Sequence, residues 1–184
     1  MPYPTLEKVP YKDDNDYAKF ARAFRSGLWT KLHRTVGGRN VASVAVEYPL
    51  ALGGFKDVIT LPSEPPAKGK AFAQHSEPVL IHAIQESLNR GARILWMYTE
   101  RQPCGHALGH ANCDAFLTKI MTKFGINGTG TTVYFSFDYP TIEDLRSSIG
   151  PDMMSEEEAK ELARDWCLMG TDELIKAVGD MLAV

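Results

Sequence analysis

Two short stretches, about thirty residues apart, most constrain what this chain can fold into. The first contains His75 and Glu77, which are separated by one residue. The second contains Pro103-Cys104, and Cys113 follows after eight further residues. A tetrahedral zinc ion is commonly held by three protein ligands drawn from His and Cys, with water in the fourth position. The pattern therefore indicates a metal centre, with Glu77 as a carboxylate that lies beside the ion without binding it.

Both stretches are predicted to lie where the chain enters a helix. Pro78 fits a first helical turn, and the apolar stripe that follows it predicts a helix ending at Gly91. Residues 92–98 are almost continuously apolar and predict a strand buried on both faces. Residues 113–124 predict a second helix. Helix starts offer free N–H groups and a positive end, which favour thiolate over thiol and suit metal ligands.

The remaining elements are predicted from turn residues and hydrophobic periodicity. Residues 1–13 predict an extended arm. A first helix is predicted from Tyr17 to about Arg25, with a cap at Asn15 or Asp16 and an end at Gly27. Residues 41–48 and 56–61 predict the two strands of a hairpin, and residues 131–137 predict another strand. Three helices are predicted after Pro140, over 142–148, 155–169 and 172–182. This order predicts an α/β fold with a mixed sheet of at least four strands and helices packed on it.

Length and composition predict a single domain over 1–184, with a core over about 15–140 and an acidic helical extension over 141–184. Residues 1–140 hold 16 Lys and Arg against 12 Asp and Glu, whereas residues 141–184 hold 4 against 11. A mildly basic body is compatible with a polyanionic substrate. Three cysteines are too few for a disulfide framework, which favours a reducing compartment. The sequence has no apolar run of about 18 residues and no signal-peptide pattern, so we expect no membrane partner.

These motifs resemble those of the cytidine deaminase superfamily, whose zinc signature is H-x-E followed by P-C-x-x-C. The resemblance rests on His75-Ser76-Glu77 and on the stretch from Thr99 to Cys104 with Cys113, although eight residues separate the cysteines here in place of two. The E-R-x-P-C form and the lengthened cysteine loop are most similar to bacterial polymorphic-toxin deaminases, over about residues 40–137. The resemblance implies a mixed sheet of about five strands sandwiched by helices.

The resemblance also implies the chemistry. His75, Cys104 and Cys113 would bind Zn²⁺, and Glu77 would shuttle protons while cytosine is hydrolysed to uracil. The implied substrate is nucleic acid, with single-stranded DNA favoured and RNA as an alternative. A deaminase of this kind would act in the cytoplasm of the cell that makes it or, as a toxin domain, in the cytoplasm of a target cell that receives it. Such a toxin would also have an immunity protein as a partner, and the segment 141–184 is either a surface for that protein or a helical cap on the edge of the sheet.

Three residues are candidates for substrate binding. Phe72 lies three residues before His75 and is suited to stacking on a base. Glu100 and Arg101 precede the first cysteine and could contact substrate or orient the metal ligands. An ion pair at the end of a strand is an equally good interpretation of Glu100 and Arg101. Basic residues from Lys19 to Arg39 could contact phosphate or form a solvated helix face.

Two other functions stay open at this point. The first is a deaminase of free nucleosides or nucleotides. The second is a non-catalytic binding module, in which Cys104, His106, His110 and Cys113 close a structural zinc site. That module would leave His75 and Glu77 without a role.

Overall fold

A computed structural model describes residues 5–32, 39–64, 75–104, 112–125, 132–140, 142–150 and 153–183. The strands are β1 (Leu6–Lys8), β2 (Val41–Glu47), β3 (Lys56–Pro62), β4 (Arg93–Arg101) and β5 (Val133–Phe137). The helices are α1 (Ala18–Leu32), α2 (Ser76–Asn89), α3 (Cys113–Phe124), α4 (Ile142–Ile149) and α5 (Glu156–Leu182). The described helices include none with the length and apolar character needed to cross a membrane.

The five strands form one mixed sheet in the order β1-β5-β4-β2-β3. β2 pairs antiparallel with β3, as the predicted hairpin requires, and antiparallel with β4 on its other side. β5 is parallel to both β4 and β1. Strands β4 and β5 therefore end at the same edge of the sheet, which is the edge where Arg101 and Phe137 are neighbours.

Helices cover both faces of this sheet. Alternate residues of β2 point in opposite directions, because side chains in a strand alternate between its two faces. Val44 and Val46 pack with α2 and α3, whereas Val41 packs with α1. The apolar stripe of α2, including Leu80 and Ile84, is buried in the first of these clusters. The predicted α/β fold, a five-stranded mixed sheet between helices with an additional C-terminal helix, is therefore confirmed.

Two predicted boundaries at the N-terminal end are wrong. The expected extended arm contains β1, a three-residue edge strand that hydrogen-bonds to β5. The first helix is capped by Asn15, whose side-chain oxygen accepts from Tyr17 and Ala18 N–H, as expected. That helix does not end at Gly27 but runs on to Leu32. A single glycine inside a helix costs only about 1 kcal/mol, which is too little to end it.

The C-terminal segment also differs from its prediction. The helices expected over 155–169 and 172–182 are one continuous helix, α5, which begins with the capping box of Ser155 and Glu158. α5 packs against α1 and against β4 and β5. Gly170 lies where α5 crosses the chain after β5, so close to the Asp138 carbonyl that a Cβ atom would overlap it. The glycine therefore allows a close approach of two backbones and does not mark a helix end.

Candidate metal centre and active site

Three metal-binding side chains meet at one point of the fold. His75 is the N-cap of α2, Cys113 is the first residue of α3, and Cys104 follows the end of β4. His75 Nδ1 lies 3.5 Å from Cys104 Sγ and 3.2 Å from Cys113 Sγ. The three ligand atoms all lie within 4.8 Å of one another. Both cysteines are buried, and neither forms a disulfide.

The extended spacing between the cysteines does not prevent them from meeting. Residues 105–111, including His106 and His110 of the alternative zinc site, lie outside the described part of the chain. The two ends of that stretch are joined by a backbone hydrogen bond of 3.1 Å from Asp114 N–H to the Cys104 carbonyl. Asn112 adopts a left-handed conformation with φ of 52° and caps α3 by accepting from Ala115 N–H. This turn starts α3 so that Cys113 faces Cys104.

The donor set fits a zinc ion. One imidazole nitrogen and two sulfur atoms at a common point match the Cys and His ligands of a catalytic zinc site, which keeps a fourth position open. The hydrogen bond from the Cys113 thiol, with a further one from His75, lowers the pKa of Cys104 to about 4 even though burial opposes this shift. The same bond to Cys104 raises the pKa of Cys113. The surroundings of Cys104 thus favour its thiolate, which is the form of cysteine that binds metal.

Glu77 lies next to this centre on the first turn of α2 and is only 3 % exposed. Its Oε2 accepts from the Ser76 hydroxyl at 3.0 Å, and its Oε1 accepts from the Thr99 hydroxyl at 3.1 Å. Burial raises the pKa of Glu77, and the nearby Cys104 raises it further. A carboxyl group with a raised pKa, held in a fixed orientation, is suited to taking and returning a proton near neutral pH.

Asn40 is a functional residue that the sequence analysis missed. It lies directly before β2 and is 8 % exposed. Its Nδ2 contacts Thr99 Oγ1 at 2.6 Å, Ser76 Oγ at 2.8 Å and Glu77 Oε1 at 3.4 Å, while its Oδ1 accepts from Arg101 N–H at 2.9 Å. Asn40 therefore fixes all the neighbours of Glu77 at once. No sequence motif marked it, because a polar residue before a strand is common.

The centre opens into a cavity of about 320 Å³. Its lining includes Arg39, Asn40, His75, Glu77, Arg101 and Tyr139. The Arg101 guanidinium lies over the Tyr139 ring, 5.4 Å from its centroid, and donates to Thr171 Oγ1 of α5 at 3.1 Å. Among the predicted substrate contacts, Arg101 therefore reaches the cavity, and Phe72 lies outside the described residues. Tyr139 is an aromatic side chain in the site that the sequence analysis did not single out.

Glu100 does not reach the cavity. Side chains alternate along β4, so Thr99 and Arg101 face the centre while Glu100 faces α1. Glu100 is fully buried and forms a salt bridge with Arg25 at 2.5 Å. It also accepts from Val41 N–H and from the Tyr11 hydroxyl. Glu100 therefore forms a buried ion pair with Arg25 of α1, a partner that the strand-end ion pair considered for Glu100 and Arg101 did not include.

The mixed five-stranded sheet carries His75 and Cys113 at two helix starts and Cys104 after the end of β4, an arrangement that matches the zinc-deaminase pattern. Residues 60–148 match the family model described as Xanthomonas-like deaminase. That stretch contains His75, Glu77, Cys104 and Cys113. The predicted resemblance to deaminases is therefore confirmed. No curated protein and no solved structure matches the chain.

Proposed function

We propose that this protein is a zinc-dependent hydrolytic deaminase that converts cytosine to uracil in nucleic acid, with single-stranded DNA as the favoured substrate and RNA as the alternative. One observation carries the proposal. His75, Cys104 and Cys113 converge within 4.8 Å, and a buried carboxyl group with a raised pKa, Glu77, lies beside them.

In this proposal His75 Nδ1 and the sulfurs of Cys104 and Cys113 hold the zinc ion. Zinc, when bound, supplies the Lewis acidity that makes water nucleophilic near pH 7. Glu77 takes a proton from the attacking water and delivers it to the ring nitrogen of the base. After the water oxygen has added to the carbon that bears the amino group, Glu77 moves the remaining hydroxyl proton to that amino group, the C–N bond breaks, and ammonia leaves as the carbonyl forms.

The side chains around Glu77 keep this proton transfer in place. Ser76 and Thr99 donate to its two oxygens, so the carboxyl group cannot rotate away from the cavity. Asn40 contacts both of these hydroxyls and thereby limits their rotation. Correct placement of a reacting group can supply several kcal/mol of barrier reduction, and a misplacement of about 1 Å can cost 100-fold in rate.

The cavity lining supports a nucleotide substrate. Arg39 and Arg101 bring two guanidinium groups to the cavity, and guanidinium groups bind phosphate oxygens in a bidentate geometry. Tyr139 offers an aromatic face beside Arg101, and stacking of a base on such a face is worth about 1–3 kcal/mol. We assign phosphate contacts to the two arginines and base stacking to Tyr139, and Phe72 stays a predicted second stacking residue.

The choice of cytosine, the preference for DNA and the role as a toxin domain in a target cell's cytoplasm rest on the resemblance to polymorphic-toxin deaminases. A toxin of this kind requires an immunity protein. We assign its docking surface to α5, where Trp166, Leu168 and Met169 are exposed. The segment 141–184 holds 11 Asp and Glu against 4 Lys and Arg, so the partner surface would be basic around an apolar centre.

The test is to incubate the purified protein with single-stranded DNA, RNA and free cytidine, and to sequence the nucleic acids and measure ammonia. We expect C-to-U changes in DNA above those in RNA and little ammonia from cytidine. Ammonia from cytidine alone would indicate a nucleoside deaminase instead. Absence of both products would contradict the proposed activity.

Variants test the assignment of the site. Glu77→Gln should keep one zinc per chain and lose turnover, whereas His75→Ala should lose zinc. Glu86→Gln is the matched control, because Glu86 is exposed on the same helix. Retained turnover in Glu77→Gln, or full zinc content in His75→Ala, would rule out these roles, and the second result would favour the binding module formed by the cysteine loop.

A further inference from the structure

A buried ion pair lies on the face of the sheet opposite to the candidate active site. Arg25 of α1 is 2 % exposed, and Glu100 of β4 is fully buried. Arg25 Nε donates to Glu100 Oε1 at 2.6 Å, and Arg25 Nη2 donates to Glu100 Oε2 at 2.5 Å. The Tyr11 hydroxyl adds a third hydrogen bond to Glu100 Oε1 at 2.7 Å. Burying two charges is costly, and such a pair often adds no more stability than apolar residues of similar size.

The pair holds the backbone on both sides of one residue. Arg25 Nη2 also donates to the Arg39 carbonyl at 2.6 Å, and Glu100 Oε2 accepts from Val41 N–H at 2.9 Å. The residue between these two contacts is Asn40. Hydrogen bonds that involve ionised groups are roughly twice as strong as neutral ones. The backbone of Asn40 is therefore fixed by two strong contacts, one before it and one after it.

The side chain of Asn40 projects to the other face of the sheet, where it contacts Ser76, Glu77 and Thr99. The geometry points to a positioning role: we propose that the Arg25–Glu100 pair fixes the backbone of Asn40, and that Asn40 in turn orients the carboxyl group of Glu77 for proton transfer. This inference rests on the proposed function, because Glu77 is the proton carrier only in a deaminase. Arg25, Glu100 and Asn40 are positioning residues, because each of them acts through Glu77 and none of them carries the proton itself.

The planar fork of arginine is essential to this arrangement. One guanidinium reaches both oxygens of Glu100 and the Arg39 carbonyl at the same time. The ammonium of lysine keeps the charge but is a point charge without a planar fork, so Arg25→Lys cannot reproduce these contacts together. The matched control is Arg90→Lys, because Arg90 is largely exposed at the end of α2 and forms a surface ion pair with the exposed Glu86.

The first measurement is steady-state deamination together with zinc content. We expect Arg25→Lys to lower kcat about 10- to 100-fold, as a slightly misplaced reacting group does, with KM within about twofold of the wild type. Zinc should remain at one per chain. Arg90→Lys should match the wild type in all three quantities. A wild-type kcat in Arg25→Lys would overturn the inference.

The second measurement does not depend on activity. The Arg101 amide donates to Asn40 Oδ1, so its hydrogen exchange reports where the Asn40 side chain lies. In Arg25→Lys we expect the amides of Arg101 and Val41 to exchange about 10-fold faster, while residues 43–46 of β2 keep their protection. Unchanged exchange at Arg101, or an equal increase throughout β2, would overturn the inference. This measurement decides whether the ion pair positions Asn40 even where the protein deaminates none of the substrates offered; in that case the proton-transfer role of Glu77 fails together with the proposed function.

A double-mutant cycle separates a route through Asn40 from a general loss of structure. If the pair acts through Asn40, then Arg25→Lys should cost little more once Asn40→Ala is present. Additive losses in kcat would contradict this route. If Arg25→Lys fails to fold, Tyr11→Phe is the substitute, because it removes one hydrogen bond from the same carboxylate. We then expect a smaller loss of kcat and a smaller increase in the exchange rates of the Arg101 and Val41 amides. A Tyr11→Phe variant with wild-type exchange at Arg101 and Val41 would then overturn the inference.

Discussion

The contact between α5 and the end of the sheet gives a sharp prediction, because two glycines of α5 differ only in their surroundings. A Cβ atom at Gly170 would overlap the Asp138 carbonyl oxygen, whereas a Cβ at Gly179 would meet nothing within 4 Å. The atoms met at Gly170 belong to backbone, so no side-chain rotation relieves the overlap. Gly170→Ala and Gly179→Ala are therefore the same chemical change with and without a steric penalty.

The expected magnitudes follow from helix propensity and packing. Replacing glycine by alanine inside a helix gains about 1 kcal/mol. In a chain of this length 1 kcal/mol corresponds to about 2–3 °C in Tm, so Gly179→Ala should raise Tm by about that amount. Overpacking costs about 1–3 kcal/mol, and a backbone contact belongs at the upper end of that range. Gly170→Ala should therefore lose about 2 kcal/mol in net stability and lower Tm by about 5 °C.

Differential scanning calorimetry of the two variants at one zinc concentration measures the difference directly. A shift of α5 at position 170 also moves Thr171, which contacts Arg101 in the cavity. We therefore expect Gly170→Ala, and not Gly179→Ala, to weaken substrate binding as well. If both variants raise Tm by the same amount, the close approach of α5 to Asp138 does not exist.

Three further predictions concern the metal and the substrate. Removal of zinc with a chelator should lower Tm by about 10 °C, because a ligand present at 1,000 times its Kd adds about 4 kcal/mol of stability; an unchanged Tm in scanning fluorimetry would show that no metal is bound. Zinc affinity should fall as the pH drops through neutrality, since His75 and Cys113 must lose their protons to bind zinc and their surroundings raise the pKa of both; competition with a chromophoric chelator measures this, and a flat profile would contradict the ligand set. Arg101→Gln should reduce the slope of log binding constant against log salt for single-stranded DNA by about 0.7 in fluorescence anisotropy, and an unchanged slope would exclude a phosphate contact.

The convergence of the metal-binding side chains was predictable from sequence because their chemistry is rare. His, Glu and two Cys in this order are typical of a metal centre and of few other kinds of site. The elements that carry them also have strong signals, since the apolar stripe of α2 and the continuous apolar run of β4 leave little choice of structure. The structure places α3 over the range predicted for it, from Cys113 to Phe124.

The parts that were missed depend on tertiary contacts. β1 has only three residues, two of them charged, and its existence depends on hydrogen bonds to β5, more than 120 residues later in the chain. The face of the sheet on which Glu100 lies was not predicted, because the strand was expected to end at Tyr98. In the structure β4 continues to Arg101. Had the strand been extended, its alternation would have separated Glu100 from Thr99 and Arg101. Gly170 suggested a helix break because sequence cannot show the backbone that approaches it.

The position of β1 has a consequence for synthesis on the ribosome. In the described sheet β1 is an edge strand and pairs with β5, Val133–Phe137, which follows it by more than 120 residues. During synthesis, Leu6–Lys8 must therefore wait for its partner strand until those residues have emerged. The pairing of β1 with β5 is then a late step in folding. Because the two strands are far apart in the sequence, this pairing is also slow. A fragment that lacks either terminal strand would leave a neighbouring strand edge open to association with other chains.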